Sequence, residues 1–323
     1  MKLIRRKALF VTGFSLLLFA FASAKADQSS LTWNALSPTT SPEARSYLAM
    51  TYDSVSKKVL LFGGFSGSGY LNDTWTFDGT NWTKVETAIS PSARANAQMA
   101  YDRRTRKVVL FGGFNGRDLG DTWLWDGATS SWTQATPLHS PKAVTGPMLF
   151  TDADGRVDEF GGFDGNLYQG TMWRWNDTDW LQVNAPSLPY ARSSAAAGVN
   201  PRTKQAVIFG GLGSVNPVNT WTFDGHTWTM ESPANQPLWV YASSTTFDQN
   251  LENVILFGGG SGGIDQDTTW QWTGTNWEQL FPLQSPPPRE AAGIAFDRAL
   301  GRTIIFGGQN AGMPMGDTWE LTP

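Results

Sequence analysis

The tripeptide Phe-Gly-Gly occurs six times, beginning at Phe62, Phe111, Phe160, Phe209, Phe257 and Phe306, and the steps between copies are 49, 49, 49, 48 and 49 residues. A period of this length is the mark of one supersecondary unit repeated in an array or a ring. Short, largely β-branched runs precede the copies, such as Val59-Leu60-Leu61, Val108-Val109-Leu110, Val254-Ile255-Leu256 and Thr303-Ile304-Ile305. Runs of that length and composition read as buried strands. The chain is therefore expected to fold as six copies of one β-unit, and its 323 residues as one repeat domain.

Two further series keep the same period. A polar residue, a Thr or Met and a Trp recur at Asp73-Thr74-Trp75, Asp121-Thr122-Trp123, Thr171-Met172-Trp173, Asn219-Thr220-Trp221, Thr268-Thr269-Trp270 and Asp317-Thr318-Trp319. Tight turns such as Asp78-Gly79, Asp126-Gly127 and Asp224-Gly225 follow, a strong hairpin signal, and lead to Trp82, Trp132, Trp180, Trp228 and Trp277. This last series lacks a sixth member after Trp319, while Trp33 stands alone near the other end. The economical reading is an all-β, six-bladed propeller with four strands per blade, in which Leu31–Leu36 completes the last blade beside the strand around Trp319. First strands are expected in segments such as Ser46–Met50 and Ser193–Ala197, whose small residues suit strands crowded round an axis. Each ends at Asp53, Asp102, Asp152, Asn200, Asp248 or Asp297, where an acceptor side chain can bond its own turn. Twelve tryptophans of the two series are expected as wedges between blades, each removing about 150–250 Å² from water.

The amino terminus has basic residues (Lys2, Arg5, Arg6, Lys7), an apolar run from Ala8 to Ala22 and Ala22-Ser23-Ala24, the three-part pattern of a cleavable secretory signal. The expected organisation is a signal at residues 1–24 and a propeller at 25–323, in a secreted or periplasmic protein without a membrane span after cleavage. Losing those four basic residues would take the formal charge from −4 to −8. An acidic chain argues against nucleic acid as a partner. With no cysteine there is no disulfide framework, so burial must supply the stability.

The pattern of hydrophobic strand, double glycine and separated tryptophan resembles the kelch repeat family over all six copies. The Trp-Asp repeat family fits worse: the period is long, and Trp125-Asp126 is the single Trp-Asp pair. The resemblance implies the propeller fold and a role in binding proteins or sugars; a few relatives are enzymes. Galactose-oxidase-like copper chemistry needs a cysteine cross-link that this chain lacks, and the iron-site pattern of kelch specifier proteins is absent around His139 and His226. A sialic-acid mutarotase-like enzyme needs an acid–base residue and an arginine, which Glu290 and Arg289 could supply.

Three residues after a recurring proline stand Arg45, Arg94, Val144, Arg192, Val240 and Arg289. They admit two readings: an anion site at the channel mouth, or partners for Asp73, Asp121, Asn219 and Asp317. The second is favoured, because the two blades with valine carry threonine at the acceptor position and the pairs change together. No metal or cofactor is expected, since two histidines without cysteine make a poor ligand set, and Asp152, Asp154 and Asp158 read as a turn rather than a calcium loop. No nucleophile elbow or phosphate loop is present. Irregular aromatic and polar residues remain on the face made by the loops after Phe-Gly-Gly and before the first strands: Trp239, Tyr241, Tyr168, Asp164, Tyr70, Arg117 and Asp118. The expected function is a monomeric, non-catalytic propeller that recognises a carbohydrate or an envelope or extracellular protein through this face.

Overall fold

The structure, a computed structural model, describes residues 30–215 and 217–323. The expected signal over residues 1–24 lies outside the described residues. Six four-stranded antiparallel sheets surround a common axis. The first comprises Ala49–Asp53, Lys58–Phe65, Tyr70–Phe77 and Trp82–Val85 in spatial order. In the sixth, Gly293–Asp297, Arg302–Phe306 and Thr318–Thr322 are completed by Thr32–Leu36, with Trp33 opposite Leu321. The ring is thus closed by pairing the two ends of the repeat region. Among the described residues no helix is long and apolar enough to cross a membrane.

Inner strands begin about three residues later than the sequence implied. Tyr47, Asn96, Gly146, Ser194, Ala242 and Ala291 all take positive φ, between 50° and 61°, which ends extension there. These six residues instead join the blades. Each N–H donates to the carbonyl of its counterpart in the preceding blade, from Asn96 to Tyr47 (2.7 Å) round to Tyr47 itself, which donates to Ala291 (2.8 Å). The result is a closed backbone ring of six hydrogen bonds about the axis.

Two further sets of contacts run round the molecule. The second glycine of every Phe-Gly-Gly donates its N–H to the backbone carbonyl of the Arg or Val of the next blade, as in Gly64 to Arg94 (2.9 Å) and Gly308 to Arg45 (2.9 Å). At Gly307 a Cβ would stand 2.5 Å from the Arg45 carbonyl oxygen, so close approach of the next blade is one reason for glycine here. The third set joins each outer-strand Trp to the preceding blade. Trp82, Trp132, Trp180, Trp277 and Trp33 donate Nε1–H to the hydroxyls of Thr318, Thr74, Thr122, Thr220 and Thr269, at 2.9–3.1 Å. In the one blade whose triplet reads Thr-Met-Trp, Trp228 meets the Met172 sulfur at 3.3 Å. The same six indoles pack on the phenylalanines of Phe-Gly-Gly at centroid distances of 5.0–5.8 Å.

The expectation of twelve wedges is therefore corrected to eight buried ones, the six outer-strand residues together with Trp123 and Trp221 of the third strands, each in a cluster shared by two blades. The outer-strand series is fully buried, whereas Trp75, Trp173, Trp270 and Trp319 are only half-buried. They lie on the third strand, where Trp75, Trp123 and Trp319 instead donate to Asp73, Asp121 and Asp317 at 2.7 Å. At the far ends of the inner strands, Asp53, Asp102, Asp152, Asn200, Asp248 and Asp297 each accept from backbone N–H groups of the turn that follows.

Candidate functional site

On the loop face, the residue after each Arg or Val pairs with the residue after Phe-Gly-Gly. Four blades match a small residue with an apolar one: Ser46 with Phe65, Ala95 with Phe114, Thr145 with Phe163, Ser193 with Leu212. The fifth blade pairs Tyr241 with Gly260, and the sixth pairs Glu290 with Gln309. A shared backbone frame thus carries different chemistry in one sector.

The sector gathers Ser46 and Tyr47 from the first blade, Tyr241, Gly260 and Asp265 from the fifth, and Glu290 and Gln309 from the sixth. Glu290 Oε1 accepts from the Tyr47 hydroxyl (3.2 Å) and Gln309 Nε2 (2.7 Å), and Gln309 Oε1 accepts from Ser46 Oγ (3.0 Å). Glu290 Oε2 is buried and has no hydrogen-bond partner among the described residues. At Gly260 a Cβ would collide with Oε2 and stand 2.9 Å from the Tyr241 hydroxyl. The glycine that replaces phenylalanine therefore makes the space in which a carboxylate and a phenol meet. Burial pushes the Glu290 carboxyl above its usual value, and the nearby Asp265 charge adds to the rise. Burial likewise raises the hydroxyls of Tyr47 and Tyr241, helped by the Glu290 charge. Asp265 is held by the Ala311 N–H at 2.7 Å.

Of the sequence candidates, Tyr241 belongs to this sector, and Trp239 supports it. The Trp239 indole donates to the Gly211 carbonyl (2.7 Å) and packs 5.8 Å from the Tyr241 ring. The other candidates lie over the first three blades. Tyr70 packs on Phe65 and Phe114, and Tyr168 on Phe163, with ring centroids 5.0–6.0 Å apart. Asp164 caps its own loop through the N–H groups of Asn166 and Leu167 and also meets Lys142 at 3.2 Å. Asp118 faces it from the adjacent blade; burial and the Asp164 charge raise the Asp118 carboxyl. Arg117 is exposed.

Tyr47 and Gln309 were not singled out from sequence. The signal lay in comparing repeats at these positions: Tyr47 is the one aromatic in the series with Asn96, Gly146, Ser194, Ala242 and Ala291, and Gln309 stands where four blades have Phe or Leu and the fifth has Gly260.

The arginines point into the blades. Arg45, Arg94 and Arg289 form bidentate pairs with Asp73, Asp121 and Asp317 at 2.6–2.9 Å, and Arg192 donates to Asn219 Oδ1 at 2.9 Å. Each also donates to the carbonyl of the first glycine of its blade's pair. All four are at most 1% exposed. Arg289 is thus spent on Asp317, Gly307 and Pro287, which removes it as the catalytic companion of Glu290. In the third blade Arg174 bridges Asp158 (2.7 Å) and Asp152 (3.1 Å), so the acidic turn is filled by a guanidinium. Among the described residues no group of His, Asp and Glu side chains is placed to hold a metal ion.

Residues 18–162 match the family described as the KLHDC2/KLHL20/DRC7 Kelch-repeats domain. No curated protein matches the chain. The solved structure of YjhT superposes with a TM-score of 0.69 at 16% identity, covering 87% of this chain and 95% of that one; at that identity the likeness speaks for the fold alone.

Proposed function

For a chain that is a kelch-repeat β-propeller, we propose an exported, non-catalytic binding role in which the sector of Tyr47, Tyr241, Asp265, Glu290 and Gln309 receives a carbohydrate. The observation that carries this reading is the unpartnered, buried Glu290 Oε2 beside the Tyr241 hydroxyl at Gly260. A buried polar atom left without a partner costs about 1–3 kcal/mol, and a ligand hydroxyl that donates to it recovers that cost. Acceptor carboxylates, an amide and tyrosine rings within one sector match the alternating hydroxyl and C–H surfaces of a sugar. The frame beneath is rigid, because the sector's backbone belongs to the inter-blade ring, and a rigid frame lowers the entropy lost on binding.

A glycan array followed by calorimetry on the best hit, with wild type, Glu290→Gln and Tyr241→Phe, tests the proposal. Loss of affinity of tenfold or more in both variants, with unchanged melting temperature, is the expected result. Binding equal to wild type in both would place the carbohydrate elsewhere or remove it. Turnover of the bound sugar that Glu290→Gln abolishes would instead make the protein an enzyme.

A further inference from the structure

The end of the propeller opposite the loop face has its own chemistry. A cavity of about 230 Å³ follows the axis, lined by all six inner strands. Its lining stops one residue inside the backbone ring, at Leu48 and Ser243, and continues to Arg103 and Arg298 in the turns at the other end. Arg298, from the sixth blade, makes no ion pair or side-chain hydrogen bond among the described residues and lies close enough to Arg103, from the second, for the two charges to oppose each other. Packing around its guanidinium and the Arg103 charge together lower the Arg298 pKa. Arg103 itself donates to the Asp152 carbonyl at 2.5 Å and has no carboxylate partner among the described residues. Tyr52 and Tyr101 line the cavity beside them. The turn that carries Arg103 also holds Arg104, Arg106 and Lys107, in a chain whose formal charge is −4. Deeper in, Ser243 Oγ and Thr245 Oγ1 are buried without partners, and both residues line the cavity.

We propose that this end of the channel binds an unbranched, hydroxylated organic acid. The carboxylate sits between Arg103 and Arg298, and the chain enters toward Thr245 and Ser243. Two like charges that line one cavity mouth are relieved by an anion, and a field focused by a cleft lined with one sign of charge attracts one. Thr245 lies about four residues, or ~13 Å of strand, inside the level of Arg298, a distance that the arginine side chains shorten. The unpartnered hydroxyls give the body of such a ligand acceptors and donors that an alkyl chain could not use. A 230 Å³ space drawn out along most of the length of the inner strands suits an unbranched body better than a bulky ring.

The test uses the full propeller and three probes in titration calorimetry: gluconate, inorganic phosphate as a head group alone, and sorbitol as a body alone. Gluconate should bind more tightly than either, and Arg103→Ala and Arg298→Ala should each weaken it at least tenfold. Thr245→Val should weaken gluconate and leave phosphate unchanged. Lys84→Ala, on an exposed outer strand, should change nothing, and Glu290→Gln, at the other end, should leave gluconate binding intact, so this site is judged separately from the carbohydrate sector. Gluconate bound no better than phosphate or sorbitol, or bound equally by both arginine variants, overturns the proposal. Both arginines are exposed, so their variants are expected to fold.

Discussion

Glu159 occupies the strand position that holds Leu61, Leu110, Ile208, Leu256 and Ile305 in the other blades. It is 1% exposed, and both carboxyl oxygens lack hydrogen-bond partners among the described residues. Burial therefore holds it neutral, with a pKa well above the ordinary glutamate value. In the unfolded chain the same group ionises near its usual pH of about 4.3. Stability from this residue is complete below that pH and is lost as pH rises toward the folded pKa, because only the unfolded state releases its proton in that window. Glu159→Leu should abolish this slope and stabilise by about 1–3 kcal/mol at neutral pH, read from denaturant unfolding at a series of pH values. A second expectation concerns Arg192, whose pKa is lowered to about 10 by burial and which faces an amide where three sister arginines face carboxylates. Asn219→Asp should supply the missing charge and stabilise by about 1 kcal/mol, the difference between a charged and a neutral hydrogen-bond partner. A thermal shift measurement decides it, and a loss of stability would mean that the new carboxylate fails to reach the guanidinium.

The double glycine shows how an element can be selected by its neighbour. Both glycines take positive φ in all six copies, but the space beside Gly307 is also occupied by the next blade's Arg45 carbonyl, whereas Gly263, with φ of 83°, has nothing within 4 Å. Alanine at either position incurs the left-handed penalty of roughly 1–2 kcal/mol; only Gly307→Ala should add the loss of the blade contact. Unfolding measurements should rank Gly307→Ala clearly below Gly263→Ala. The closing strand offers the complementary test. Trp33 is fully buried, donates to Thr269 and packs on Phe257 of the preceding blade. Trp33→Ala should cost about 3–5 kcal/mol and lower the midpoint of the whole transition rather than detach one blade.

Three inter-blade sets, one of backbone ring bonds, one of glycine N–H bonds and one of Trp–Thr contacts, make the six blades a single cooperative body. A linear repeat array can fray from its ends; this one has its ends paired. The amides of Tyr47, Asn96, Ser194, Ala242 and Ala291 lie outside the named strands, yet they donate in the ring. Native-state hydrogen exchange should find them as protected as the core strands, exchanging only with global unfolding. Fast exchange at these amides would show that the ring opens locally. The distribution of charge also belongs to the whole body. A chain of net −4 sets basic turns at one end of its axis and a carboxylate-bearing sector at the other.

The propeller, its blade number and its closure were legible before any coordinate, because the period, the double glycine and the missing sixth tryptophan are properties of order along the chain. The partners of Arg45, Arg94, Arg192 and Arg289 were legible for a related reason: six internal copies let two positions be seen changing together. Tyr241 stood out because it broke the repeat. Tyr47, Gln309 and Gly260 break it as well, but each acquires meaning only when the first, fifth and sixth blades are brought side by side and they meet Glu290. The full burial of the outer-strand tryptophans, and the half-burial of Trp75, Trp173, Trp270 and Trp319 on the third strands, depended on how neighbouring blades pack. The approach of Arg298 to Arg103 spans the join of the ring, 195 residues apart in the chain. Local order specifies the repeat because hydrogen bonding and side-chain alternation act over a few residues; sites formed where non-adjacent blades converge arise only when the circle closes.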